Sequence, residues 1–299
     1  MKLFQSDLIP DGFLNIGPVQ WRVHSSEGEG LSYSDPAYQG FWGGRDDLAH
    51  VRCGARREGL RPFPPYKKAI TLPDCLTTTP LVSMDVLIHR EAREVPEGEP
   101  LYCAGKNWAL WEKGDDVIIC SGYYNQPVAG VYCRLNRSAK SAEVFLDPAR
   151  DDGRGPLRYP MDQILSWGML AECGGVILHS AVVVKDGLSW VFVGRSGAGK
   201  TTLSELCFSK GWKILNDDRT MVFPRGDQVV AAGTPWHGSG RFAEAEEKPL
   251  GGVFVIEQSL DNRMESMSAE EIKYALLDVA AVPWFDDQWL RVHWMLRMR

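Results

Sequence analysis

The sequence predicts an α/β protein of mixed α+β type, in two parts: a β-rich N-terminal domain over residues 1–150 and a C-terminal domain over residues 157–299. Three observations carry that prediction. Before residue 150, short stretches alternate between apolar and polar residues, the period-two pattern of half-buried strands. A polar stretch containing Gly and Pro, Asp147-Pro-Ala-Arg-Asp-Asp-Gly-Arg-Gly-Pro156, then interrupts the pattern as a linker does. Beyond it, helical spacing and strand-like runs occur side by side.

The alternating segments are Val19 to His24, Leu81 to His89, Ala109 to Glu112, Asp116 to Cys120 and Val128 to Leu135. Glu112-Lys-Gly-Asp-Asp116 has the residues of a hairpin turn. Ser25 to Pro65, rich in Gly, Pro and charge, reads as long loops. After the linker, Met161 to Cys173 has helical spacing and stops at Gly174-Gly175. Val176 to Val184 and Leu188 to Val193 read as strands joined by Asp186-Gly187, a two-residue hairpin signal. Thr201 to Lys210 reads as a helix closed by Gly211. Trp212 to Asp218 reads as a strand ending in paired carboxylates. Met221 to Phe223 and Val229 to Ala231 form a hairpin around Pro224 to Asp227, and Leu250 to Ile256 is a further strand. Ser268-Ala-Glu-Glu271 is a capping box opening a helix that ends near Ala281, and Trp289 to Arg299 reads as a short terminal helix.

Composition excludes several classes. Charged residues are 24% and apolar residues 44%, ordinary for a soluble globular chain. Net charge is −6 and the pI is about 5.6, with no basic run, which argues against nucleic acid or an anionic membrane as partner. The N-terminus lacks the apolar core of a signal peptide. No apolar run reaches the ~18 residues of a membrane span. The seven cysteines form no C-x-x-C pair, and their odd number suits free thiols in a reducing cytoplasm.

The most informative stretch follows Trp190-Val-Phe-Val193: Gly194, Arg195, Ser196, Gly197, Ala198, Gly199, Lys200 and Thr201, then Thr202. It reads G-x-x-x-x-G-K-[ST], the P-loop, with a strand leading in and a helix leading out. Glycines let successive backbone N–H groups turn inward around phosphate oxygens. Lys200 supplies a point charge near the β- and γ-phosphates, and the Thr201 hydroxyl is placed to ligate Mg²⁺. The pattern therefore points to binding of a nucleotide or other phosphate together with Mg²⁺.

Two further features gather around this loop. With Asp186 and Gly187 as turn residues, Lys185 faces Leu188, and the same register sets His179 opposite Gly194. A titratable imidazole then stands beside the phosphates. One helix separates the loop from Asp217 and Asp218, so their strand can lie next to the loop's own strand. Alternation would let one carboxylate of the pair hold the metal, or its water, while the other faces an acceptor hydroxyl as base. Downstream, Arg241 lies in a Gly-rich segment from Gly233 to Phe242 that reads as a mobile lid, from which an arginine can reach the γ-phosphate. Glu244, Glu246 and Glu247 offer either a second metal contact or a solvated acidic run.

A chain reading Leu-His-Ser-Ala, a short hairpin, Gly-Arg-Ser-Gly-Ala-Gly-Lys-Thr-Thr-Leu, one helix and Asn-Asp-Asp resembles the HPr kinase/phosphorylase family. That family shares its P-loop type with the phosphoenolpyruvate carboxykinases. The resemblance covers roughly residues 160 to 260; His179 sits 21 residues before Lys200, and the acid pair begins 17 after it. It implies a C-terminal P-loop kinase domain in which His179 is the active-site histidine and Gly194 to Thr201 the ATP loop. It likewise implies Thr201 as a magnesium ligand and Asp218 as acceptor of the hydroxyl proton. The family's Glu-Ile-Arg-Gly-Leu-Gly-type signature is absent; Gly233-Thr-Pro-Trp-His-Gly-Ser-Gly-Arg241-Phe stands in its place. HPr itself and the phosphorylase half-reaction are therefore not implied, and the chain is more similar to divergent HPr-kinase-like proteins, some of which modify ribosomally made peptides.

The expected activity is Mg²⁺-ATP-dependent phosphorylation of a hydroxyl, a serine of a protein or peptide, in the cytoplasm, with the N-terminal domain offering a docking surface. A homo-oligomer remains open. Two alternatives stand beside it: a carboxykinase-like enzyme, since the loop sequence also resembles that family, and a nucleotide-binding sensor or scaffold without chemistry.

Overall fold

Period-two burial turns the first half of the chain into strands. The computed structural model describes residues 12–26, 35–43, 81–122, 125–137, 140–153 and 155–283. In β4 (Val82–His89), Val82, Met84, Val86 and Ile88 are buried, and the residues between them stay half-exposed. β1 (Gly12–Ile16) and β2 (Val19–Ser25) make a hairpin in which Ile16 faces Val19 and Gly17 turns at φ 57°, a conformation glycine adopts without steric cost. β3 (Trp42–Gly43), β5 (Tyr102–Ala104), β6 (Trp108–Lys113), β7 (Asp116–Ser121), β8 (Val131–Asn136) and β9 (Ser141–Leu146) complete a nine-stranded sheet ordered β3-β1-β2-β4-β9-β8-β7-β6-β5. β2–β4 and β4–β9 are parallel; the other pairs are antiparallel.

The expectation of loops throughout Ser25–Pro65 is corrected within the described part. Pro36–Phe41 is a 3-10 turn started by Asp35, whose carboxylate accepts from Ala37 N at 3.0 Å. Pro36 pre-sets φ, and Tyr38 and Phe41 enter the core.

The second sheet is organised by β10 (Val176–Lys185). On one edge it pairs with β11 (Leu188–Val193), and on the other with β12 (Lys213–Asn216) and β13 (Arg219–Arg225). β14 (Gln228–Ala232) follows β13 as a hairpin, and β15 (Glu247–Val255) joins β14 to β11 in parallel with the latter. The pairings therefore close into a ring from β10 through β11, β15, β14 and β13 back to β10. The predicted hairpin register holds from Lys185↔Leu188 to Ser180↔Val193. One expectation is corrected. β12 does not neighbour the loop's strand β11, because β10 lies between them. As expected, β12 ends directly before Asp217-Asp218; β13 resumes at Arg219, and after a bulge one register on β10 runs from Asn216↔Val182 through to Val222↔Val176. The acid pair is thus the kink between two strands.

Three α-helices complete the described structure: α1 (Met161–Glu172), α2 (Lys200–Ser209) and α3 (Ala269–Val279). The whole is a strand-rich mixed α+β arrangement. α1 packs against β2, β4 and β10. Around it one buried cluster joins Trp21, Val86 and Leu110 of the first sheet to Met221, Phe223 and Val230 of the second. Each such side chain contributes about 1.5–3 kcal/mol when fully buried. α2 lays Cys207 on Val183 and Ile214. α3 begins with the predicted capping box, with Ser268 N donating to Glu271 and Glu271 N to Ser268, a device worth about 1 kcal/mol. The predicted helix at Trp289 to Arg299 lies outside the described residues. Among the described residues no helix is long and apolar enough to cross a membrane, and Cys103, Cys120, Cys133, Cys173 and Cys207 carry free thiols.

Candidate functional site

The glycine loop follows β11 and runs into α2. Gly197 and Gly199 hold φ 83° and 107°, which other L-residues adopt only under strain. At Gly194 the constraint is space, since a Cβ would stand 2.9 Å from that of Ala198 and 3.1 Å from the Ile256 carbonyl. The first turn of α2 has Gly199 as N-cap, and no side chain caps its backbone donors. The buried Lys200 folds back, with Nζ donating to the Gly194 and Arg195 carbonyls at 2.7 and 3.1 Å. Burial and the nearby Arg219 hold its pKa below the ordinary lysine value, against the pull of Asp218. Ser196 and Thr202 are exposed, and Ala198 N closes a turn onto the Arg195 carbonyl. Arg195 reaches out to Asp278 of α3 at 2.9 Å, and Gln258 pins the crown by donating to the Gly197 carbonyl at 2.8 Å.

The acid pair meets this loop. Asp217 is 2% exposed, and its Oδ2 accepts from Thr201 Oγ1 at 3.4 Å. The same carboxylate accepts from Gly238 N at 2.9 Å (Oδ1) and Gly240 N at 2.8 Å (Oδ2). Asp218 turns the other way, its Oδ1 lying 2.9 Å from His179 Nε2. His179 sits one step beyond the β10–β11 ladder and pairs across to Arg219. Burial alone would raise the Asp218 pKa. The His179 hydrogen bond, with the charges of Arg219 and Lys200, overrides burial and holds the carboxyl below its ordinary range. His179, Lys200, Thr201, Asp217 and Asp218 thus come together, the two carboxylates serving different neighbours.

Other expectations are corrected. The segment from Gly233 to Phe242 is laid onto Asp217 by its Gly238 and Gly240 N–H groups rather than standing off as a lid. Arg241 follows that clamp in a left-handed conformation, φ 57°, with its N donating to the Gly238 carbonyl at 3.2 Å. Glu244, Glu246 and Glu247 neither converge on Asp217 nor form a solvated run. Glu246 pairs with Lys213 and Lys248, Glu244 lies 3.6 Å from Lys213, and Glu247 pairs with Arg225 at 2.5 Å. Burial raises the Glu244 pKa, whereas its two lysines, against burial, lower that of Glu246.

Sequence reasoning missed the supports. Asn216 is fully buried; its Oδ1 accepts from Asp218 N and Arg219 N at 2.7 and 2.8 Å, and its Nδ2 donates to the Thr234 carbonyl at 2.8 Å. This one amide makes the kink that turns the two acids apart. Its signal was the Asn before the pair, a residue that readily captures backbone N–H groups two positions on. Behind it lies Asp162, fully buried and accepting from Tyr38 Oη at 2.6 Å, Trp236 Nε1 at 2.7 Å and Gln163 N at 2.8 Å. Burial raises its pKa to about 6, against the three donors. Burial and the neighbouring Asp162 in turn raise that of Tyr38. No sequence motif marks Asp162.

The described structure is therefore a strand-rich mixed α+β chain with a strand–glycine loop–helix unit facing a split acid pair. No family model matches it, and no curated protein matches its sequence. Among solved structures, the HPr(Ser) kinase/phosphatase from Coxiella burnetii is a weak neighbour: 15% identity, a TM-score of 0.25, 31% of this chain and 72% of that chain covered. A likeness of that size settles no activity. Among the described residues no group of three or more His, Cys, Asp or Glu is placed to hold a metal ion.

Proposed function

We propose that this chain is an Mg²⁺-ATP-dependent phosphotransferase that phosphorylates a hydroxyl, a serine of a protein or peptide. The observation that carries the reading is the meeting of Thr201 with Asp217 at 3.4 Å while Asp218, hydrogen-bonded to His179, is turned away from that contact. A carboxylate bonded to the loop's Thr201 and a second one bonded instead to His179 are what metal holding and hydroxyl activation separately need.

Lys200 and the open first turn of α2 bind and orient the phosphates. Thr201 Oγ1 and Asp217 Oδ2 would hold Mg²⁺. Two protein oxygens fit that ion, which takes few protein ligands and completes its shell with water and phosphate oxygens. A carboxylate also has lone pairs left after two backbone donors. The ion supplies neutralisation of the charge developing on the transferred group. Asp218 takes the hydroxyl proton, and His179 orients its carboxylate. A lowered pKa keeps Asp218 ionised at neutral pH, and because the transition state is loose, the residue needs position more than base strength.

The test is ATP turnover by the full chain with and without a cell extract as source of acceptor. Acceptor-dependent turnover that appears as phosphoserine is the expected result. ATP binding without transfer to any protein or peptide would instead favour a sensor.

A further inference from the structure

The segment that clamps Asp217 reaches it through a series of anchors. Asn216 Nδ2 donates to the Thr234 carbonyl at 2.8 Å and Thr234 Oγ1 donates to the Arg219 carbonyl, so the segment starts fixed to the kink. Two residues on, the buried Trp236 sends its indole to α1, with Nε1 donating to Asp162 Oδ2 at 2.7 Å. Gly238 N and Gly240 N then close on Asp217 at 2.9 and 2.8 Å. The anchor at Asp162 is a demanding one. A fully buried carboxylate is costly unless its donors are well placed, and the same Oδ2 also accepts from Tyr38 Oη at 2.6 Å. Such a group holds the indole in one place. Two residues of chain span at most about 7 Å, so a shift of the indole passes on to Gly238. There the contact is already tight, since a Cβ at Gly238 would stand 2.9 Å from Asp217 Oδ2.

We infer that Trp236 is a positioning residue: held by Asp162, it sets the two backbone donors that aim the Asp217 carboxylate at Thr201. The inference rests on the phosphotransferase reading above, in which Thr201 and Asp217 would hold Mg²⁺, and adds a residue that lies outside both the loop and the acid pair. Asp217 Oδ2 is the atom on which Gly240 N and Thr201 Oγ1 meet. Without the indole anchor the segment loosens, and the carboxylate loses its fixed direction although Asp217 itself is intact. Removing a group that orients a metal ligand from outside costs about 10- to 100-fold in metal affinity. Trp236 stands one step further out, behind the glycine donors, which sets its effect at the low end of that range.

The experiment measures ATP binding to the full chain by calorimetry across a Mg²⁺ series, with no acceptor present. Trp236→Phe keeps an aromatic ring and drops the N–H. It should raise the Mg²⁺ concentration for half-maximal binding about tenfold, with ATP affinity in EDTA unchanged. Asp162→Asn, which takes the charge from the same hydrogen bond, should shift that midpoint in the same direction by less. Tyr38→Phe is the control: it removes a donor from the same Asp162 oxygen but leaves the indole bond, and the midpoint should move less than about twofold. Hydrogen exchange gives a second readout, in which the Gly238 and Gly240 N–H groups of Trp236→Phe exchange about tenfold faster while β10 is unchanged. A midpoint unchanged in Trp236→Phe or in Asp162→Asn, or shifted equally in Tyr38→Phe, overturns the inference, as does a loss of ATP affinity that is the same with and without Mg²⁺. A wild-type chain that binds no ATP, or binds it regardless of Mg²⁺, overturns the phosphotransferase reading instead.

Discussion

Gly240→Ala tests the clamp on Asp217. A Cβ at Gly240 would stand 2.7 Å from Asp217 Oδ2 and 2.9 Å from the Phe242 ring. Gly240 has no positive φ, so the penalty is contact alone. The carboxylate has nowhere to retreat: Asp217 is 2% exposed, held at Oδ1 by Gly238 N and at Oδ2 by Thr201 as well. Losing the Gly240 hydrogen bond to a charged group costs about 1.5–3 kcal/mol, and overpacking adds about 1–3 kcal/mol. A total of about 2.5–6 kcal/mol is expected in urea unfolding. The displaced oxygen is also the one facing Thr201, and a shift of about 1 Å at such a position lowers turnover by about 10²-fold. The control is Ser239→Ala, on the exposed residue between the two clamping glycines, which should stay within about 0.5 kcal/mol of wild type. Wild-type stability and Mg²⁺ dependence in Gly240→Ala would refute the clamp.

Three further outcomes follow from the same geometry. Asp218→Asn should lower turnover by about 10² or more, the scale of a lost general base, with MgATP affinity little changed; a loss of affinity instead would assign Asp218 to the nucleotide. Asn216→Ala strands the Asp218 and Arg219 N–H groups and the Thr234 carbonyl, at about 1–3 kcal/mol for each buried group left unpaired; urea unfolding within 1 kcal/mol of wild type would show that the kink does not depend on it. Asp162 binds its proton more tightly in the fold, where burial raises its pKa from 3.8 to about 6. Its contribution is therefore fully present below the unfolded value and lost as pH rises through about 6. The stability difference between wild type and Asp162→Asn should change by about 3 kcal/mol between pH 3.5 and 7, in the direction that favours wild type at acid pH; a difference that stays flat would place Asp162 in a wetter setting.

What the sequence made legible was local. Alternation marked β2, β4, β6 and β7, Asp186-Gly187 set the β10–β11 register, and Ser268 with Glu271 marked the start of α3. β9, Ser-Ala-Glu-Val-Phe-Leu, was not read because its apolar run is short and follows polar residues; its place is set by pairing between β4 and β8. At the candidate site, the loop and the acid pair stood out because the proposed phosphate chemistry needs fixed residue types at close spacing. Which way each acid points was not legible, since Asn216 decides it through hydrogen bonds to the backbone on one side and to Thr234 on the other. The glycines at 238 and 240 suggested freedom, but here they allow close approach to Asp217. Asp162 was invisible because its partners are 124 and 74 residues away.

The central claim is transfer of the γ-phosphate of ATP to a serine by way of Lys200. Cell extract is incubated with ATP and either the wild-type chain or Lys200→Ala, whose Nζ faces loop carbonyls rather than core, and phosphosites are compared by mass spectrometry. The account predicts serine sites that appear with wild type and are missing with a folded Lys200→Ala protein. The same sites appearing with both proteins would contradict it.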